Sequence, residues 1–331
     1  METTLEKPKS EAQSSGALRR MLLSQEFVLL VITVLAFAYL GSQNDRFLTL
    51  RNMTREVRQL FEIAIMALPM TFIIITGGID LSVGSIFGLC AIVLGFLWQD
   101  AGLPLELAIV LSLFVGGLCG FFNGLFIVRL GVPPLIMTLA TLALFRGIAV
   151  GISEARSARG FPDWFFEIGR GEVLGMPYQV WILLVGIIIT GIILARTTFG
   201  RALYAIGNNE TAARFAGIPV DRVKLMIYTF SGFTAALAAL VFVARISTTR
   251  SDMGSGIELD VIAAVVLGGT SIFGGAGSIF GTVLGFILIQ ALKNGLLLAG
   301  VPGDASIVAI GIILIVAILI NTFVLSRFRT T

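Results

Sequence analysis

One carboxylate stands where chemistry needs a reason. Asp80 lies in Gly77-Gly78-Ile79-Asp80-Leu81-Ser82-Val83-Gly84-Ser85, between the apolar runs 60–76 and 86–98. An acid there either caps the next helix, accepting from the amide of Ser82 or Val83, or binds a cation or solute along a path through the membrane. The two roles are compatible. Glycines 77 and 78 release the chain from helical geometry, so the stretch is a break between helices. It is either a tight hairpin at the surface or a re-entrant turn whose freed backbone groups face protein or water.

Other polar groups within apolar runs are few. Arg146 and Lys293 lie near predicted helix ends and read as snorkelling side chains. Asn123, Gln290 and Asn294 could bond a polar solute, but amides in such runs more often join helices, and that is the reading taken. Cys90 and Cys119 sit inside apolar runs and read as small packing residues. With no histidine in the chain, the commonest acid/base and metal ligand is missing. No cluster of acids and nucleophiles supports a membrane enzyme, and no G-x-x-x-x-G-K-[ST] loop binds a nucleotide phosphate.

The elements holding these residues follow from composition. Apolar residues make up 56 % and charged residues 13 % of 331, and mean hydropathy is +0.98. This is an all-α integral membrane protein, with room for about ten spans of about 20 residues. The net charge of +3 argues against nucleic acid. The apolar runs are 27–42, 60–76, 79–98, 105–128, 132–152, 178–195, 225–244, 259–273, 278–298 and 306–325. An N-in, C-in arrangement leaves twelve Lys/Arg on the inside against nine outside, and is adopted on that margin. Residues 1–25 then form a disordered cytosolic tail and 26–325 the membrane domain. Residues 326–331 form a cytosolic C-terminus. The first apolar run, with no small-residue cleavage site after it, reads as a retained helix.

Two loops are long. Residues 153–177, outside, suit an interfacial helix, a docking surface or a plain connector. Residues 196–224, inside, contain one short helix: Asn208 or Asn209 caps it, Glu210 suits its positive end, and Gly217 takes the left-handed closing position before Pro219. Ala212, Ala213 and Phe215 give this helix a small contact surface, for its own bundle or for a partner. Gly116, Gly117, Gly120 and Gly124 form a face for close helix contact. Gly84-Ser-Ile-Phe-Gly88 recurs as Gly277-Ser-Ile-Phe-Gly281, suggesting a parallel repeat whose two glycine breaks face each other.

These residues also carry a resemblance. GGIDLSVGS after the run 67–76 resembles the signature of the ribose/galactose/xylose/autoinducer-type ABC importer permeases. Ala212-Ala213 with Gly217 resembles the Ala-Ala-x-x-x-Gly core of the coupling loop in that family, with Thr211 where glutamate is usual. The segment 263–281 resembles the second glycine-rich stretch of the family. Gly88-Leu-Cys-Ala91 and Asp100-Ala-Gly-Leu-Pro104 are most similar to rhamnose and autoinducer-2 permeases.

The resemblance implies a non-catalytic permease of the bacterial inner membrane that carries a monosaccharide or small polyol-like solute. Its partners would be membrane lipid, a cytosolic ABC ATPase that uses ATP, a periplasmic sugar-binding protein, and a second permease copy, identical or paralogous. It would bind no cofactor itself. Asn208, Glu210, Ala212, Ala213, Gly217 and Ile218 would couple to the ATPase. Gly77, Gly78, Asp80, Ser82, Gly84, Gly268, Gly269, Gly274 and Gly275 would form the hinge or pathway. The competing reading is an ion-coupled secondary transporter using Asp80.

Overall fold

The computed structural model describes residues 25–154, 156–301, 305, 308 and 311–312. The expected tail lies outside the described residues except for Gln25. So do residues 326–331 and the tenth apolar run, apart from Val308, Gly311 and Ile312.

The described chain runs α1 (Gln25–Gln43), α2 (Leu50–Ile75), α3 (Val83–Gln99), α4 (Leu105–Arg129), α5 (Pro134–Ser153), α6 (Asp163–Arg170), a small hairpin, α7 (Tyr178–Arg196), α8 (Thr198–Asn208), α9 (Glu210–Phe215), α10 (Val220–Ile246), α11 (Ile257–Leu267) and α12 (Ile279–Leu298). Seven of these, α1, α2, α4, α5, α7, α10 and α12, are long and apolar enough to cross a membrane. The apolar helix α3 is shorter, at 17 residues.

Helix α2 is the axis of the bundle. Its membrane window is 89 % buried, against 11 % for α1. It packs on α10, α7, α11 and α12. It also starts ten residues before the apolar run does. Thr49 caps it, and its first turns are polar because their partners are protein: Asn52 exchanges amide hydrogen bonds with Asn294, and Glu56 accepts from Gln290 at 2.7 Å. Gln290 and Asn294 thus join α12 to α2. Deeper in α2, Glu62 pairs with Arg245 of α10 at 2.7 Å.

Helices α4 and α10 lie closest together. A side chain at Gly116 would stand 2.5 Å from the Ala236 methyl, and one at Gly120 would meet the Tyr228 carbonyl. Gly124 faces Leu225, but Gly117 has nothing within 4 Å, so the close-contact face has three glycines and not four. Cys90 and Cys119 are buried and unpaired as disulfides.

The run expected over 259–273 is a helix only to Leu267. Past that point the chain turns through Gly268-Gly269 and remains irregular to Ser278. The loop 153–177 holds α6, which seats Phe165 in the core and lays Gly169 against the backbone of Ala244 and Arg245. A hairpin follows, Glu172–Val173 against Met176–Pro177.

Candidate functional site

The first break runs from Thr76 to Ser82, and Asp80 is its fully buried centre. A buried carboxylate is costly unless hydrogen-bonded, and this one is. Its Oδ1 accepts from the Ser82 amide at 3.0 Å and the Ser82 hydroxyl at 2.6 Å; its Oδ2 accepts from Ser231 of α10 at 2.9 Å. Ser82 is the residue before α3 and makes no cap bond of its own, so Asp80 supplies the cap from two positions back. Asn123 of α4 donates to the Ser82 hydroxyl at 2.8 Å. One carboxylate therefore joins the break to α4 and α10. Gly77 sits at φ +77°, and a side chain at Gly78 would stand 2.6 Å from the Tyr228 hydroxyl. Ser231 and Tyr228 had no signal in the sequence. They lie on a helix some 150 positions later, and only the fold brings them here.

The second break touches the first. The Gly275 amide donates to the Ile75 carbonyl at 2.9 Å, and a side chain at Gly274 would lie 3.1 Å from the Gly77 nitrogen. Gly268 packs on Gly281 of α12, and Gly269 on the side chain of Gln25. The two copies of the five-residue motif sit in different registers at the two sites. Gly84–Gly88 lies in the first turns of α3, and Gly277–Gly281 opens α12 through the Ser278 cap. Gly84 lies against Glu258 and the carbonyl of Gly254.

The loop 196–224 holds two helices where one was expected. Thr197 caps α8, accepting from the Gly200 amide at 3.2 Å. Asn209 caps α9, accepting from Ala212 at 2.9 Å. Asn208 is not the cap; its amide nitrogen donates to the Tyr204 carbonyl at 2.9 Å. At the other end, Gly217 takes φ +81°; its amide donates to Arg214, and that of Ile218 to Ala213, each at 3.0 Å. This double closure satisfies carbonyls that a six-residue helix would otherwise leave open. Glu210 bonds Lys224 at 2.6 Å and Arg214 at 3.0 Å, and Arg214 also meets Asp221 at 2.6 Å. Burial alone would raise the Glu210 carboxyl, but Lys224 and then Arg214 outweigh it and hold it below the ordinary range.

The exposed face of α9 differs from the expected one. Ala213 turns inward and is buried, while Ala212, Ala216, Gly217 and Phe215 face out, Phe215 with 89 % exposure. The root of the loop meets both breaks at once. Gly207, near the end of α8, lies so close to the Ile75 carbonyl and the Gly275 amide that a side chain would collide with both.

Arg146 and Lys293 do not snorkel. Arg146 donates to the carbonyls of Ser251 and Met253 at 2.6 and 2.7 Å, and to that of Gly84 at 3.3 Å. Lys293 pairs with Asp260 at 2.6 Å. Both side chains are held by backbone or acid within reach, so neither needs the interface.

Residues 52–318 match the family described as branched-chain amino acid transport system / permease component. The chain belongs to this permease family. The permease is 40 % identical over 299 residues to the autoinducer 2 import system permease protein LsrD of Photorhabdus luminescens, covering 88 % of this chain and 90 % of the relative. Against the protein of that name from Escherichia coli K12 it is 40 % identical over 305 residues, 90 % and 91 % of the two chains. With the Yersinia enterocolitica protein it shares 38 % over 308 residues, 91 % and 93 %. No solved structure matches the permease. The resemblance read from the three motifs holds at the level of family: a non-catalytic, multi-pass ABC importer permease of the sugar branch.

Proposed function

We propose that this permease forms the membrane path of an ATP-driven importer in the bacterial inner membrane, for a monosaccharide or related small polyol-like solute. The names of the relatives favour autoinducer 2 within that class, ahead of rhamnose, ribose, galactose and xylose. The α8–α9 end is cytosolic, with both termini on that side. A periplasmic binding protein delivers the solute, and a second permease, identical or paralogous, completes the path. A cytosolic ATPase binds and uses the ATP.

The observation that carries this reading is the exposed, doubly closed α9 whose root rests on both glycine breaks. Ala212, Phe215 and Gly217 offer the ATPase a small knob, and Asn208, Glu210, Ala213 and Ile218 fasten that knob to the bundle. Closure of the ATPase pair shifts the knob, and Gly207 passes the shift to Ile75 and Gly275. Asp80 and the glycines at 77, 78, 84, 268, 269 and 274 let the broken helices re-angle as rigid pieces. ATP binding drives this only to the extent that the ATPase prefers one state of the bundle.

Isolation from native membranes in mild detergent, with partners identified by mass spectrometry, tests the proposal. An ATPase and a second permease should co-purify, and disruption of residues 208–217 should release the ATPase. Recovery of this chain alone, with ion-driven uptake in liposomes, would overturn it. No observation in the structure favours that ion-coupled reading, since both Asp80 oxygens are engaged.

A further inference from the structure

After α10 the chain does not turn back at the surface. It re-enters the bundle without a helix. Thr249 donates its amide to Ala158, and its hydroxyl lies 2.9 Å from where a side chain at Gly95 would begin. Arg146 holds the carbonyls of Ser251 and Met253, and the Met253 carbonyl stands 2.7 Å from the same point on Gly88. The Gly254 carbonyl lies 2.5 Å from that point on Gly84. Measured down α3 from Gln99 at 1.5 Å per residue, these contacts lie about 6, 16 and 22 Å deep. Irregular chain thus passes the middle of a core about 30 Å thick. Only then does α11 begin, and its 11 residues, about 16 Å, are too few to span.

Non-helical backbone at such depth is tolerated only against protein or water. One side of this segment has protein: α3 and Arg146. Among the described residues, the other side is open. Ser255 and Gly256 are exposed, Leu259 is 64 % exposed, and the Arg250–Asp252 pair is 61 % exposed at both side chains. Asp260 of α11 and Lys293, five residues or about 8 Å before the end of α12, are 30 % and 29 % exposed. Opening two ion pairs to hydrocarbon is expensive, whereas the outward side of α5, with Leu139, Leu144 and Ile148, is the apolar surface lipid accepts. Beside the open face, the Glu258 Oε2 has no hydrogen-bond partner among the described residues.

We propose that the re-entrant segment 250–256 and the open face of α11 are the solute-facing wall of the pathway, with Glu258, Asp260 and Lys293 taking the hydroxyl groups of a polyhydroxylated solute. This rests on the importer reading and assigns its path to a surface distinct from the two breaks, which stand behind the wall as hinges.

The test is the full chain carrying Ser255→Cys, Leu259→Cys or, as the lipid-side control, Leu144→Cys, in right-side-out and inverted membrane vesicles. Each is treated with a charged, membrane-impermeant thiol reagent, with and without ATP and vanadate. Cys90 and Cys119 are buried, so the unsubstituted chain sets the background. Positions 255 and 259 should react at least tenfold faster than 144 in one of the two nucleotide states, and their modification should block uptake. ATP-driven uptake with 255 and 259 as slow as 144 overturns the wall and leaves the importer standing. Reaction at both with uptake intact also overturns the wall. Vesicles in which both react but no ATP-driven uptake exists overturn the importer reading, and the wall as a solute path with it.

Discussion

The Gly275 amide and the Ile75 carbonyl, 200 residues apart in sequence, are joined by a 2.9 Å hydrogen bond. The bond ties the last residue of α2 to the coil between α11 and α12, so neither broken helix moves alone. Gly207 lies against both partners of this bond.

Gly207→Ala therefore strikes the junction itself. Its methyl group would collide with backbone on both sides, and backbone cannot step aside as a flexible side chain does. ATP-driven uptake should fall at least tenfold while membrane insertion, read by fractionation, is retained. Normal uptake would remove the junction from the coupling route.

Gly217→Val addresses the knob. A β-branched residue at φ +81° costs roughly 1–2 kcal/mol and opens the closure of α9. ATP hydrolysis by the assembled complex should persist but lose its link to uptake, measured as solute moved per ATP. An unchanged ratio would count against the role of α9.

Asp80→Ala leaves three donors unanswered in the core: the Ser82 amide and hydroxyl and the Ser231 hydroxyl. Each buried group left unsatisfied costs about 1–3 kcal/mol. A marked fall in the thermal midpoint in detergent is expected, with Ser231→Ala clearly milder. Asp80→Asn, which keeps the shape, separates fold from function: it should insert and yet impair uptake. Full activity would reduce Asp80 to a dispensable cap.

Glu62 and Arg245 test how a buried pair behaves. Arg245→Ala strands a carboxylate whose side chain is 4 % exposed, a loss of about 3–5 kcal/mol in comparable cases. The double variant Glu62→Gln, Arg245→Met should recover most of that stability, as read by thermal unfolding. Equal damage from single and double variants would show that the pair does more than neutralise itself.

Acid should loosen the loop around α9, and the sign is fixed by Glu210. Its carboxyl titrates lower in the folded loop than when free, so the stability it adds is complete above the free value of 4.5 and is lost as pH falls through the folded value. Hydrogen exchange across 208–219 should be well protected at pH 7 and should weaken as pH falls below the free value of 4.5. Glu210→Gln should abolish that step. The carboxyl is half-exposed, so the effect is local and leaves the membrane helices folded.

Hydropathy located the spans well because length and apolarity are what a bilayer demands, and α1, α4, α5, α7, α10 and α12 lie where the apolar runs are. It failed where protein replaces lipid. Seven of the first ten residues of α2 are polar, yet the stretch is helical, because Asn294, Gln290 and Glu172 answer them. The run over 259–273 is mostly apolar, yet Gly268-Gly269 ends the helix after Leu267. Within the site, Asp80 as a cap and Gly217 as a closure were legible because both act on near neighbours. Arg146 was misread as snorkelling, since its partners at 251 and 253 come from a segment whose re-entry no local pattern announces.

The closure of α9 at both ends bears on economy of motion. A six-residue helix held only by its own hydrogen bonds would fray under load and absorb a push as lost travel. Here Asn209 pins one end, Gly217 locks the other, and Glu210 braces the flank through Lys224. At the foot, Gly207 leaves no gap against Ile75 and Gly275. A linkage without backlash needs only a short stroke, so a displacement of a few ångströms at α9 would reach the broken helices almost undiminished.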